Sequence, residues 1–470
     1  MSILEELSKM VCDTTISSLP SSVVAAGRRS LVDTMGLMAA NSRDPSTHPL
    51  VVAAGSLWGY GGPILSWASE STVPPANAAF LGGYAAHSSD FDDTHLPSVL
   101  HPSASTVPAA LTTAQLSDLS GEELLLATIV GDEVAIRLGM AGYDPRNANS
   151  IYFDRGQHAT SICGTVGAAA AVSRVLQFDT LTTMHALSIA CSLGSGIIEA
   201  NRTGGSVKRI HTGWAAQAGL CSALLAHSGV TGPPTAIEGR FGFLSAHLGD
   251  SAHTEMITKN LGCQWGVDNL HIKPYPCNHF THPVADAAQK LAATGVQAED
   301  IAAVSVGLAE PVLRTVAEPE YLKMHPANGY AAKFSAPYVF AAAFMGKTPP
   351  GLGAEDFTDD AVIRPEILKL AARVSCHADP EATRSFPNAL TTNIEIQYID
   401  GSAITISIGS TRGGPRQPLS ESELSQKLTN AMLYTGITDP HEVVEELFLL
   451  PESSGLLVPI ARIHQHLWSD

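Results

Sequence analysis

The clearest strand pattern in the chain is NIEIQYIDGSAITISI, residues 393–408. Apolar residues alternate with polar residues on both sides of Asp400-Gly401, a dipeptide favoured in tight hairpin turns. The segment therefore predicts two antiparallel strands. Residues 301–308, IAAVSVGL, predict a further strand.

Helical patterns dominate the sequence on either side of these strands. Ser120 is followed three residues later by Glu123, which is a capping-box pattern, and the apolar run 124–138 comes next. Residues 163–176 predict a second helix, whose glycines and alanines would let neighbouring helices pack closely. Further helices are predicted at residues 187–191, 215–226, 282–294, 334–344, 365–374, 421–433 and 442–450.

A turn-rich break, KPYP at residues 273–276, separates the helical region from the part that contains the strands. The sequence therefore predicts a mostly α protein with an inserted α+β domain. Residues 1–268 and 411–470 would form the first and second parts of a large helical domain. Residues 269–410 would form a smaller α+β lid domain.

Composition narrows the possible functions. The 470 residues carry a formal net charge of −18, which disfavours nucleic acid and anionic membranes as partners. No stretch has the 18 or more uninterrupted apolar residues of a membrane span, and the N-terminus does not resemble a signal peptide. We therefore expect a cytoplasmic protein, although a mitochondrial location stays open. Seven scattered cysteines without a CxxC pattern indicate reduced thiols rather than disulfides or a zinc site.

The segment HSSDFDDTHLPSVLHPS, residues 87–103, concentrates ionisable side chains. Carboxylates paired with imidazoles are the usual equipment for acid–base catalysis near neutral pH. The alternative is a polar loop that caps the next helix. The ionisable residues of this segment are Asp90, Asp92, Asp93, His87, His95 and His101.

Three further segments could carry chemistry. The first, RGQH at residues 155–158, places a histidine beside a glycine at the start of a small-residue helix. The second, RTGGSVKRIHTG at residues 202–213, offers glycines for close backbone approach and cations for a carboxylate, or it is a solvated basic turn. It fits neither a P-loop nor a dinucleotide-binding fingerprint. The third, KPYPCNHFTH at residues 273–282, holds two histidines but no HExxH pattern, so no metal site is predicted.

The segments at 87–103, 202–213 and 273–288, together with AAKFSAPYVFAAAF at 331–344 and RGGPRQPLS at 412–420, occur in an order that resembles the MmgE/PrpD family over residues 5–460. The resemblance implies a lyase that acts on small polycarboxylic acids without a metal or organic cofactor. It also implies a homodimer and an active site between the helical domain and the lid.

Residue by residue, the resemblance implies that Asp90, His101, His158 and Lys208 are catalytic. Lys208 would stabilise a negatively charged intermediate or donate a proton, the two histidines would serve as acid and base, and Asp90 would orient one of them. Asn278 occupies a position that is histidine in an animal member of the family, so the chain departs from the family pattern there. His279 follows immediately. The expected substrate-binding residues are Thr94, Arg155, Arg209, Lys273, Asn278 and His279.

Dehydration, decarboxylation and epimerisation of such acids all start from or pass through a carbanion beside a carboxylate. We favour dehydration of a citrate-like or 2-methylcitrate-like hydroxy acid, or the reverse hydration. Decarboxylation of a cis-aconitate-like acid and epimerisation of an aspartate-like or succinate-like acid are alternatives. A different possibility is a helical enzyme in which Asp90, Asp92 and Asp93 hold Mg²⁺. A non-catalytic scaffold is the remaining possibility.

Overall fold

The computed structural model describes residues 2–146, 148–200, 206–346 and 351–468. The chain forms two compact units. Unit 1 comprises residues 1–145, 149–272 and 431–470, and unit 2 comprises residues 146–148 and 273–430. Helices account for 59% of the structure, which confirms the predicted mostly α class with a small α+β part. In the described ranges, no helix is both long and apolar enough to cross a membrane.

Unit 1 is helical apart from two short pairs of strands. β1 pairs with β4, and β2 pairs with β3, both antiparallel. These strands are β1 (Thr94–His95), β2 (Tyr143–Asp144), β3 (Asn149–Ser150) and β4 (Leu270–His271). The helices are α1 (Ile3–Asp13), α2 (Ser21–Ala40), α3 (His48–Trp58), α4 (Pro75–His87), α5 (Ser103–Ala114), α6 (Gly121–Met140), α7 (Ile151–Asp154), α8 (Ala159–Val175), α9 (Thr180–Leu193), α10 (Val207–His227), α11 (Phe243–Leu248) and α12 (Glu255–Thr258), followed near the C-terminus by α21 (Pro440–Leu449) and α22 (Leu457–Trp468).

The predicted capping box at the start of α6 is confirmed. The Ser120 hydroxyl accepts the backbone N–H of Glu123 at 3.2 Å, and the Glu123 carboxylate accepts the backbone N–H of Ser120 at 2.9 Å. Two N–H groups that a helix start leaves unpaired are satisfied in this way. The box fixes where α6 begins, and α6 packs along α8, whose residues are buried almost without exception.

Glycines make the contact between α6 and α8 close. A Cβ atom added at Gly167 would lie 2.7 Å from the Gly131 carbonyl oxygen and 2.8 Å from the Ala135 Cβ. Backbone cannot move aside as a flexible side chain can. The small residues noted in the sequence therefore set the distance between the two helices.

Replacing Gly167 by valine is expected to lower the free energy of unfolding by about 1–3 kcal/mol or more, because the new side chain forces α6 and α8 apart. Gly409 is the matched control, since nothing lies within 4 Å of a Cβ built there. Gly409→Val should change stability by no more than about 0.5 kcal/mol. Urea unfolding of both variants measures the difference, and equal effects would contradict this account of the helix contact.

Unit 2 is built on a four-stranded sheet with the order β6-β5-β7-β8. β5 runs parallel to β6 and antiparallel to β7, and β7 and β8 form a hairpin. The strands are β5 (Ile301–Leu308), β6 (Val374–Ala378), β7 (Thr392–Tyr398) and β8 (Ala403–Ile408). The helices are α13 (His282–Ala292), α14 (Glu310–Val316), α15 (Glu320–Met324), α16 (Gly329–Ala332), α17 (Ala336–Met345), α18 (Pro365–Ala371) and α19 (Pro380–Ser385), and α20 (Glu421–Tyr434) continues from this unit into unit 1.

The predicted hairpin is confirmed, with Gly401 in the left-handed conformation that its turn requires (φ 86°). The predicted helix over residues 365–374 is wrong at its end. The helix stops at Ala371, and Val374 begins β6. Arg373 explains the change, because its carbonyl oxygen accepts the backbone N–H of Val304 and so starts the pairing with β5.

Candidate active site

The turn that follows α4 contains three aspartates, Asp90, Asp92 and Asp93, whose carboxylates contact different partners. Asp90 has φ 55°, a left-handed conformation that aspartate tolerates better than most residues. Its backbone N–H bonds to the carbonyl oxygen of His87, the last residue of α4. Strained positions of this kind concentrate at functional sites. The turn separates the side chains of Asp90, Asp92 and Asp93, so that each contacts a different partner.

Asp90 pairs with Lys208. The Lys208 Nζ donates to Asp90 Oδ1 at 3.3 Å, and both side chains are more than nine-tenths buried. Lys208 lies in the first turn of α10, 118 residues away in the sequence. An ammonium group held in such a dry position is worth far more to a negatively charged substrate than one in water.

Asp92 pairs with His87. The distance from Asp92 Oδ2 to His87 Nδ1 is 2.7 Å, and both side chains are fully buried. Because an ionised carboxylate can only accept, this contact assigns the Nδ1 proton to His87.

His101 contacts the backbone of the same turn. Its Nδ1 is 2.6 Å from the carbonyl oxygen of Asp93 and 3.3 Å from the Thr94 hydroxyl. A carbonyl only accepts, so Nδ1 of His101 carries the proton and Nε2 is the basic nitrogen of the neutral ring. The backbone N–H of His101 donates to Thr160 Oγ1, which fixes the start of α5 against α8.

His158 is the residue just before α8, and its ring contacts a second histidine. Its Nδ1 is 2.8 Å from Nδ1 of His211 on α10. Burial is the main reason why the pKa of His158 lies well below its usual range, and Lys208 and His211 lower it further. Burial and the neighbouring His87 lower the pKa of His211 to about 4. Both rings are therefore neutral at pH 7, and one donates its Nδ1 proton to the other.

These groups form one cluster within unit 1. The ring of His87 is centred 5.1 Å from that of His101 and 6.1 Å from that of His158. One nitrogen or oxygen atom from each of His87, Asp90 and His101 lies within 4.8 Å of the others, which is close enough to hold a metal ion. However, the Lys208 ammonium already contacts Asp90. This arrangement gives little support to the magnesium hypothesis, because the three aspartates contact separate partners. Asp90 contacts Lys208, Asp92 contacts His87, and Asp93 contacts Ser103.

Two buried acids, Asp93 and Asp132, meet at the hydroxyl of Ser103. The Ser103 hydroxyl is 2.5 Å from Asp93 Oδ2 and 2.8 Å from Asp132 Oδ2, and Thr106 also donates to Asp132. One hydroxyl proton cannot serve two carboxylates, so one of the acids is protonated. Burial raises the pKa of Asp132 to about 7, and burial and Asp132 raise the pKa of Asp93 well above its usual range.

This acid pair predicts a pH-dependent difference in stability. The folded-state pKa of Asp132 is raised, so wild type loses stability relative to Asp132→Asn as pH rises from about 4 to about 7. The loss should reach up to about 1.4 kcal/mol per pH unit and then level off. Urea unfolding of both proteins between pH 5 and pH 8 measures the difference. A difference that is independent of pH would show that the pair does not share a proton.

The remaining candidate residues lie elsewhere. Arg155 is exposed and donates to the carbonyl oxygen of His247 at 2.9 Å, and Arg209 is half-buried beside Lys208. In unit 2, Lys273 and His279 are buried, and the Asn278 side chain accepts the backbone N–H of Phe280 at 3.0 Å. Their substrate-binding roles stay predictions. Arg202 and its glycine neighbours, residues 202–205, lie outside the described residues.

His87, Asp92 and His211 also belong to the cluster, although the family resemblance did not assign them to the site. His87 and Asp92 lie in a segment that had been singled out, and nothing in the sequence said which of its acids faces which imidazole. His211 follows Lys208 by three residues, a spacing that places both on one face of a helix and that could have pointed to it.

A buried cluster of imidazoles next to a lysine–aspartate pair offers the groups that acid–base catalysis uses. The sequence profile of the MmgE/PrpD N-terminal domain matches residues 5–255, and that of the MmgE/PrpD C-terminal domain matches residues 275–447. The chain belongs to the MmgE/PrpD family and is a lyase that acts on carboxylic acids.

Several relatives match over almost the whole chain. Human cis-aconitate decarboxylase is 28% identical and covers 91% of this chain and 87% of its own length. The mouse enzyme of the same name is also 28% identical, with coverages of 91% and 86%. Cis-aconitate decarboxylase of Aspergillus terreus is 25% identical, with coverages of 95% and 92%.

Proposed function

We propose that this chain decarboxylates cis-aconitate or a tricarboxylate closely similar to it. The observation that carries the proposal is the buried Lys208–Asp90 pair beside the imidazoles of unit 1. The names of the human, mouse and Aspergillus terreus relatives support the choice of reaction.

The charge of the site suits an anionic substrate. The chain carries a net charge of −18, so a polycarboxylate is repelled unless local cations attract it. Lys208 supplies such a cation in a buried position. A preorganised cation stabilises the negative charge that builds on a carboxylate when a bond at the neighbouring carbon breaks.

The proposed step balances without an outside reactant. The bond between the departing carboxylate and its carbon breaks, and carbon dioxide leaves. The electron pair spreads over the adjacent double bond and the conjugated carboxylate next to Lys208. A proton from an imidazolium then adds to carbon. In our proposal, His101 and His158 are the acid and base of the site, and Thr94 donates a hydrogen bond to the substrate.

Dehydration of a citrate-like hydroxy acid is the second candidate. It needs one group to remove a C–H proton and another to protonate the leaving hydroxyl. The presence of two separate imidazoles, His101 and His158, favours it, because decarboxylation needs only a proton donor.

Proton NMR of the purified protein in D₂O tests both reactions. The protein is mixed separately with cis-aconitate, citrate, 2-methylcitrate and iminodisuccinate, with and without EDTA. Loss of cis-aconitate with release of carbon dioxide supports the proposal. Conversion of citrate or 2-methylcitrate without carbon dioxide would replace it with dehydration, and epimerisation of iminodisuccinate would replace both. Activity that disappears with EDTA would restore the metal-dependent alternative.

The proposal includes a homodimer in the cytoplasm, as the family resemblance implies. Light scattering after gel filtration should then give twice the chain mass of 49.2 kDa. A mass of one chain at micromolar concentration would contradict this part of the proposal.

A further inference from the structure

His87 has one nitrogen with a partner and one without. Its Nδ1 bonds to Asp92, whereas its Nε2 is buried and has no hydrogen-bond partner among the residues that the structure describes. The whole residue is 2% exposed. A buried polar atom without a partner costs free energy, so such atoms in a native protein call for an explanation.

The surroundings of Nε2 suggest what its partner is. The imidazole of His87 is near those of both His101 and His158, and it belongs to the same close group as Asp90 and His101. Because Asp92 accepts the Nδ1 proton, Nε2 is the basic nitrogen of the neutral ring. In the imidazolium form it becomes a second N–H donor, and the Asp92 carboxylate balances the charge.

Of the neighbouring histidines, His158 is poorly suited to be a charged proton donor. His158 shares its Nδ1 with His211, and the burial of His158 disfavours the charged ring. His87, by contrast, has a carboxylate in direct contact with its Nδ1. Asp92 lies 2.7 Å from His87 and 3.8 Å from His101.

We propose that His87 is a further catalytic residue, held by Asp92 through Nδ1, and that His87, in place of His101 or His158, is the acid that donates a proton at Nε2 to the substrate carbon. The inference rests on the proposed function. As carbon dioxide leaves, the electron pair on carbon takes the Nε2 proton. His87 becomes neutral and regains a proton from solvent after product release. Asp92 stays ionised and is a positioning residue.

The closing experiment compares two buried histidines of one segment. His87→Asn retains an N–H group near Asp92 but lacks Nε2. His95→Asn is the matched control, because His95 is as deeply buried and bonds to the Ser98 hydroxyl at 2.7 Å. With cis-aconitate, we expect kcat of His87→Asn to fall by about 10²–10⁴-fold and one limb of its pH profile to disappear. His95→Asn should stay within about threefold of wild type.

The same experiment includes Asp92→Asn, which should lower kcat and displace that limb of the pH profile without removing it. A His87→Asn variant that melts like wild type and keeps kcat within threefold overturns the role of His87 alone. A wild-type protein that converts none of the acids overturns the proposed function, and the His87 inference with it.

A second measurement does not depend on a folded His87→Asn variant. The ¹⁵N signals of histidine-labelled wild-type protein are recorded during titration with tricarballylate, a saturated tricarboxylate that cannot be decarboxylated through an allylic shift. Correlation spectra of the wild-type protein assign the signal to His87. A change in the Nε2 signal of His87 at saturation supports the inference, and an unchanged signal while that of His101 moves overturns it.

Discussion

Lys208→Ala is expected to lower kcat with cis-aconitate by at least about 10²–10³-fold, the range found when one preorganised electrostatic contact to a transition state is removed. The ammonium group is buried and faces Asp90, and a charge in such a position interacts more strongly with a developing negative charge than one in water. Turnover at saturating substrate measures the loss, and the melting temperature measures how far the fold is affected.

Lys290→Ala is the control for this experiment, because Lys290 is exposed on α13. It should keep wild-type turnover. A fall of less than tenfold for Lys208→Ala would remove Lys208 from the mechanism. A fall that Lys208→Arg fully restores would assign to the side chain a charge role without proton transfer, since arginine does not release its proton.

Asp90→Asn is expected to destabilise the fold by about 1.5–3 kcal/mol, because it removes the charge of the carboxylate that contacts the buried Lys208 ammonium. The double variant Asp90→Asn/Lys208→Met should regain much of that stability, because it removes the buried ammonium as well. Its activity should nevertheless stay at least about 10²-fold below wild type.

The comparison of the single and double variants separates folding from catalysis. Urea unfolding gives the stability of each protein, and turnover gives its activity. If the double variant is as unstable as Asp90→Asn, the ion pair does not explain the loss. If it recovers activity along with stability, Lys208 and Asp90 serve the fold and not the reaction.

The elements of the fold that were predicted correctly all depend on patterns among neighbouring residues. The capping box at Ser120, the strand over residues 301–308 and the hairpin around Gly401 all follow from residues within a few positions of one another. β6 was missed because its five residues are mostly half-buried or exposed, so its sequence lacks a clear apolar alternation. Its pairing with β5 joins segments about 70 residues apart.

The site was predictable in its parts but not in its contacts. Segments rich in histidine, aspartate and lysine could be found by composition alone, and the resemblance to a family named the residues within them. The pairing of Asp90 with Lys208 spans 118 residues, and that of His158 with His211 spans 53. Such contacts depend on how α4, α8 and α10 pack, which no local pattern specifies.

The left-handed backbone at Asp90 also bears on how such a protein could lose its activity during evolution. Only glycine, asparagine and aspartate adopt this conformation readily, and a single nucleotide change converts an aspartate codon to either of the other two. A lineage that no longer needs the reaction can therefore discard the carboxylate and keep the backbone of the turn, provided that a change at Lys208 also removes the buried ammonium. Asparagine or glycine at position 90 together with an uncharged residue at position 208 would mark a descendant that has kept the fold after giving up its chemistry.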